Sequence, residues 1–367
     1  MDIAKKRLPM RILSFTKIFS LLLVALLLLL TACGGDGDKK GGQLASETPF
    51  IGGNTGLTIK FVPGAPPDEV TDNRNFPFGV SLQIENNGET EVQAGPENGY
   101  IKLLGINPVD FGVPLDHPAP AQFLKAPILV DGNLAGARKN FDGSVIPGGQ
   151  TVVNFPFDPG RQINQFVYVP NIHGNTAVTV RADACYNYAT MSTTKLCVKQ
   201  DLLAPTERAS VCEITAPKEP QNSGGPVQIT KVSEAPIGEH KIQVTFTVEH
   251  RGEATGTFYT HNTNCDDRIT NPDKYVVYID VLSDINGETA DCTGLEMPAD
   301  PAAGVIDDKQ HAGFVRLFRG ASRTVSCTFD LSHIDSDFED LFEVKLSYRY
   351  STSIEKRILV KDVSLTD

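Results

Sequence analysis

The chain has no tryptophan, only 4 methionines and no surplus of positive charge. Its 33 lysines and arginines face 45 aspartates and glutamates, a formal −12, and the basic residues are not gathered on the body of the chain. Neutralising a phosphate backbone needs the opposite balance, so no nucleic-acid partner is expected. Common enzyme signatures are missing too: there is no Gly-x-Ser-x-Gly elbow, no His-Glu-x-x-His helix and no Gly-x-x-x-x-Gly-Lys phosphate loop. The 7 histidines, at 117, 173, 240, 250, 261, 311 and 333, stand singly, so a Ser or Cys triad would need long-range assembly. No two cysteines are two apart and no histidine sits at ligand spacing beside one, which argues against zinc. On these grounds no catalytic residue, metal site or cofactor is expected.

What is present fits a β-rich chain. A length of 367 residues with 40% apolar content can fill two cores, and 32 glycines with 24 prolines suit short strands joined by turns.

Residues 1–32 read as a signal peptide. Lys5, Lys6, Arg7, Arg11 and Lys17 precede an apolar run, Ile18 to Leu30, of 13 residues, short of the about 20 that span a bilayer as a helix. Leu30-Thr31-Ala32-Cys33 resembles the lipobox of prokaryotic lipoproteins, which implies a diacylglyceryl group on the Cys33 thiol and a membrane held through acyl chains. Cleavage before Cys33 leaves 28 basic and 44 acidic residues, a formal −16, so anionic headgroups would repel the mature body. Residues 33–49, rich in glycine, read as a flexible tether. The expected location is the extracytoplasmic face of a membrane or the cell surface.

The body repeats itself. Phe78, Val80, Leu82 and Ile84 alternate with smaller or polar residues and run into Asn87-Gly88-Glu89. At an offset of 164, Ile242, Val244, Phe246 and Val248 alternate in phase and run into Arg251-Gly252-Glu253. Glycine in these exits is expected to supply a backbone angle that other residues resist. Val180 to Tyr188 and, at an offset of 162, Phe342 to Tyr350 are alternating strands ending in Tyr-x-Tyr. Lys195–Lys199 and Arg357–Lys361 follow them, so each copy is expected to close in a hairpin. Val153–Asp158 and Val325–Asp330 give a weaker third echo in the same order. The fold class expected is all-β, with two tandem antiparallel β-sandwiches of immunoglobulin-like kind at 50–205 and 226–367, joined by a Pro/Gly-rich linker at 206–225.

The Asn-x-Gly-Glu exit and the Tyr-x-Tyr hairpin resemble immunoglobulin-like repeats of the CARDB type. That resemblance implies a cell-surface protein of an archaeon or bacterium. Irregular segments near 93–146 and 262–310 lengthen both copies, and individual function is expected there, with Tyr100–Phe123 and Thr263–Met297 as candidate binding loops.

Six cysteines besides Cys33 suggest disulfides in an exported chain. Cys185 and Cys197 stand symmetrically about Met191 on the charged face of the expected hairpin and are the first pairing. Cys292 with Cys327 and Cys212 with Cys265 are the others. His250 and His261 read as exposed turn residues, with an approach across a hairpin as the alternative. Asp335–Asp340 reads as a capped helical turn rather than a calcium loop, since Asp340 and Leu346 stand where glycine and a bidentate glutamate are needed. Asp266-Asp267 and Asp307-Asp308 invite the same metal reading and are set aside in the same way. The four tyrosines read as core before platform. The functional expectation is a non-catalytic binding, adhesion or envelope-scaffold protein with a protein or glycan partner. An extracytoplasmic polymer hydrolase with its site in the inserted segments is the alternative.

Overall fold

Alternation in the sequence becomes alternation of burial. Every second side chain of Val80–Asn86 is buried and Lys241–His250 repeats the pattern, as strands with one face on a core require. The computed structural model describes residues 48–113, 120–160, 163–203, 211–298 and 304–363. The signal peptide, Cys33 and nearly all of the tether lie outside the described residues.

The first copy holds β1 (Leu57–Phe61), β2 (Val80–Asn86), β3 (Gly99–Leu104), β4 (Lys125–Pro127), β5 (Gln150–Phe155) and β6 (Thr176–Val198). The second holds β7 (Val227–Pro236), β8 (Lys241–His250), β9 (Val276–Val281), β10 (Asp291–Thr293), β11 (Ala312–Arg316), β12 (Arg323–Asp330) and β13 (Phe338–Lys361). Short 3-10 turns such as Pro120–Leu124 and Phe318–Gly320 vary this all-β architecture.

A three-stranded sheet, β1-β2-β5, serves the first copy and a four-stranded one, β7-β8-β12-β10, the second. Both lie against a nine-stranded sheet whose spine runs β11-β9-β13-β6-β3-β4. Phe246 of β8 and Phe329 of β12 meet Phe342 of β13, while the Tyr188 hydroxyl of β6 donates to Asn86 Oδ1 of β2. Residues from Thr48 onward form one compact unit with a continuous apolar core.

The expected closing hairpins are absent, and this corrects the sequence reading. β6 and β13 are unbroken strands of 23 and 24 residues that pair antiparallel with each other from Thr176↔Val360 to Val198↔Phe338. The segment between the two runs, Ala189-Thr190-Met191-Ser192-Thr193-Thr194, has no Gly, Asn, Asp or Pro, and Thr190, Ser192 and Thr194 keep the buried phase of Tyr188. The second half of each long strand consequently enters the other copy. Ser192–Thr193 pair with Gln221–Asn222, tying the described part of the linker to β6, and the Cys197 N–H donates to Glu234 of β7. Leu359–Lys361 pair in parallel with Glu69–Thr71, and Lys356 Nζ lies 2.9 Å from Asp68.

The pairing register has a midpoint. Asn187 faces Arg349, its own equivalent 162 positions on, with Tyr186 opposite Tyr350 and Tyr188 opposite Tyr348. A local two-fold axis therefore runs between Asn187 and Arg349. All four tyrosines are buried around it, with ring centroids 5.8–6.4 Å apart. The Gly88 and Gly252 exits do not serve positive φ, as the sequence suggested. A Cβ on Gly88 would come within 2.0 Å of the Tyr188 hydroxyl, and one on Gly252 within 2.4 Å of the Tyr350 hydroxyl. The two repeated motifs are thus parts of one contact.

All six body cysteines are bonded: Cys185–Cys265, Cys197–Cys212 and Cys292–Cys327. Cys292 stands directly opposite Cys327 on the neighbouring strand, as paired in the sequence. The pairings of Cys185 with Cys197 and of Cys212 with Cys265 are corrected. Twelve residues along one extended strand set Cys185 and Cys197 about 40 Å apart, far beyond disulfide reach. Three disulfides fit an oxidising compartment. No helix among the described residues is long and apolar enough to cross a membrane.

Candidate functional site

The inner face of the nine-stranded sheet is filled by the core, so its outer face is where chemistry can be presented. Around the two-fold axis that face carries Tyr100, Lys102, Arg181, Asp183, Asn187 and Arg349. The segment between Tyr259 and Val276 arches over it as a strap. Four contacts pin the strap: the Cys185–Cys265 disulfide, the Asn187 amide donating to Asn262 Oδ1 (2.8 Å), the Asn262 N–H returning to Asn187 Oδ1 (3.1 Å), and Arg349 Nη1 donating to the Thr263 carbonyl (2.7 Å). Asn262 takes a left-handed φ of 61°, which asparagine tolerates better than most residues. From the first copy, the Asn98 carbonyl accepts the Asn187 N–H at 2.8 Å. The two candidate segments therefore meet here, although Gly99–Leu104, Val276–Val281 and Asp291–Thr293 are strands and not the irregular chain expected of them.

Two clefts flank the strap. One, of about 400 Å³, is lined by Tyr100, Lys102, Arg181, Asp183, Asp266 and Asp267 among others. Its carboxylates are held in opposite directions. Burial raises the Asp183 pKa against the hydrogen bond and charge of Arg181. Burial would raise Asp267 as well, but the Tyr259 hydroxyl and Lys274 outweigh it and hold the group low. Half-buried Asp266 is held low by hydrogen bonds from Arg268. The other cleft, of about 260 Å³, gathers Glu91, Asn98, Asn187, His261, Asn262 and Lys345. Its lining is rich in amides, which both donate and accept.

Arg349 lies beneath the strap, bonded to Thr263 and beside Cys185. It is 3% exposed, its Nε donates to Cys185 Sγ at 3.1 Å and its guanidinium lies 5.6 Å from the Tyr100 ring centre. Burial lowers its pKa, opposed by Tyr100 and Glu97. Lys125 covers the Tyr100 ring at 3.8 Å, and its pKa is lowered by burial, then by the charges of Arg349 and Lys102.

Other candidates have separate places. His250 ends β8 and is half-buried against Phe258 and the Tyr350 hydroxyl, so it is not the exposed turn residue expected; His261 does sit in a turn but is half-buried there against Tyr278 and Phe314, and the two rings have different neighbours. Asp335–Asp340 forms no helix: bends lead into β13, and Asp337 accepts the Gln200 N–H. Asp307 and Asp308 take left-handed φ in the two-residue turn between Val305–Ile306 and Lys309–Gln310. Among the described residues no group of three or more His, Cys, Asp or Glu side chains is placed to hold a metal. Sequence reasoning missed Arg349 and Asn262. Arg349 was legible in principle as the residue facing its own repeat equivalent, but Asn262 lies in a loop with no periodicity to read. Comparison of the chain with protein-family models and with curated protein sequences finds no match. The reading therefore rests on this geometry.

Proposed function

We propose that the protein is a lipid-anchored, extracytoplasmic, non-catalytic binding protein, tethered through Cys33, whose binding face is the outer surface of the nine-stranded sheet at the two-fold axis. The observation that carries this reading is the strap: a disulfide, a reciprocal pair of amide hydrogen bonds and a buried arginine fix the walls of two polar clefts before any ligand arrives. Pre-organisation of this kind lowers the entropic cost of binding. Amides beside paired charges suit a hydroxyl-rich partner such as an envelope glycan, or the polar loop of a protein. Nucleic acid is disfavoured by the acidic balance.

One observation favours the hydrolase alternative. Asp183 and Asp267 line the same cleft with pKa values displaced in opposite directions, the division of labour that acid–base pairs use. A single experiment separates the readings. Purified protein is incubated with a panel of envelope polysaccharides, measuring retention and release of new reducing ends. Retention without release, lost on Asn187→Asp with Asn262→Asp, supports the binder. Release abolished by Asp183→Asn would instead make the protein a hydrolase.

A further inference from the structure

A hairpin on the first copy leaves apolar groups in water without an evident purpose. Arg138–Lys139 pair with Val145–Ile146, and the tip between them places the Phe141 side chain fully in solvent, at 108% relative exposure. Val145 and Ile146 are 54% and 49% exposed. The tip is well defined: the Asn140 N–H donates to the Ser144 carbonyl, the Gly143 N–H to the Asn140 carbonyl, and the Asp142 carboxylate is turned back onto the Ser144 N–H and hydroxyl. A stiff loop with an aromatic at its apex is a shape that meets another surface.

The start of the described chain says which surface. Lys139 Nζ, in the same hairpin, donates to the Thr48 carbonyl (3.1 Å) and lies 3.3 Å from the Thr48 hydroxyl. Ile51, three residues on and 38% exposed, is tied by its N–H to Glu89, and the Ala137 N–H beside the hairpin donates to the Gly88 carbonyl. The chain from the anchor therefore arrives at the base of this hairpin. Only 14 residues separate Cys33 from Thr48, which sets an upper limit of about 50 Å on the distance between them. A tether of that length keeps the hairpin at a high local concentration over the bilayer, where a weak contact suffices.

We propose that the Arg138–Ile146 hairpin is a second membrane contact, with Phe141 entering the boundary between headgroups and acyl chains beside the lipid on Cys33. This rests on the reading of Cys33 as the lipidated residue. Phenylalanine with flanking Arg138 and Lys139 matches the chemistry of interfacial contacts, and two basic residues against one acidic, Asp142, relieve locally the repulsion expected from a body of formal −16.

The absence of tryptophan makes the test direct, because Phe141→Trp introduces the only indole of the chain. The full lipoprotein carrying F141W is reconstituted into phosphatidylcholine and phosphatidylglycerol vesicles that contain lipids brominated high on the acyl chain. I269W serves as comparison, since Ile269 on the strap is 99% exposed and lies outside the hairpin. Circular dichroism checks that both variants fold. The expected result is blue-shifted emission for F141W and quenching at least about twofold stronger than for I269W. Protein that floats with the vesicles while F141W is quenched no more than I269W would overturn the hairpin contact and leave the anchor standing. Protein that stays behind on flotation, with Cys33 unmodified by mass spectrometry, would remove the anchor and the hairpin contact together.

Discussion

Asn187 and Arg349 hold equivalent positions, yet one is a short amide and the other a buried cation, and this asymmetry lets a single strap cross the axis. A second asymmetry concerns the histidines. Burial lowers the His250 pKa, and burial with the charge of Lys345 lowers that of His261. A depressed folded value means that the unfolded chain takes up protons first as the solution is acidified. Stability should therefore be full above the ordinary histidine value of 6.5 and be lost as the pH falls below it, down to the folded values. Urea midpoints measured from pH 7.5 to 5 should decline. The decline should be shallower in the His250→Gln, His261→Gln double variant, and an unchanged slope in that variant would remove the histidines as its cause.

At the scale of the element, the long strands decide the disulfides. β6 carries Cys185 and Cys197 on one continuous run, so each reaches sideways: Cys185 to the strap and Cys197 to Cys212 in the linker region. Peptide mapping without reduction should give those two links and Cys292–Cys327, with no Cys185–Cys197 peptide. Cys185→Ala with Cys265→Ala opens a separation of 80 residues and should cost about 4.5 kcal/mol by loop entropy, against about 3 kcal/mol for the Cys197–Cys212 pair at a separation of 15. Denaturant titration measures both. The strands themselves were legible, because period-two alternation survives folding wherever one face is buried, as in Val80–Asn86. What misled was the expectation of turns. Two alternating runs separated by six residues suggest a hairpin, but Ala189–Thr194 has no Gly, Asn, Asp or Pro, and its polar side chains hid a strand that stays in phase.

Across the whole molecule, the copies exchange strand halves: β6 ends against β7 of the second copy and β13 against Glu69–Thr71 of the first. Neither 50–205 nor 226–367 then holds all the strands of its own share of the nine-stranded sheet. Expressed apart, each half should show no cooperative thermal transition, whereas the intact body should unfold in one. A sharp transition in either half alone would show that the exchanged strands are dispensable. The amino-acid order by itself determined the all-β class, the repeated strand pattern, the acidic balance and the oxidisable cysteine set, since composition and periodicity are local properties of the chain. It also held the offset of 162 from which the axis at Asn187 and Arg349 follows, but only once the long strands are known to pair. Strand pairing, cysteine partners and the meeting of the strap with β3 and β6 were decided by tertiary structure. Those contacts join residues tens to hundreds of positions apart, and their choice depends on which buried faces fill the common core, a quantity that no local pattern carries.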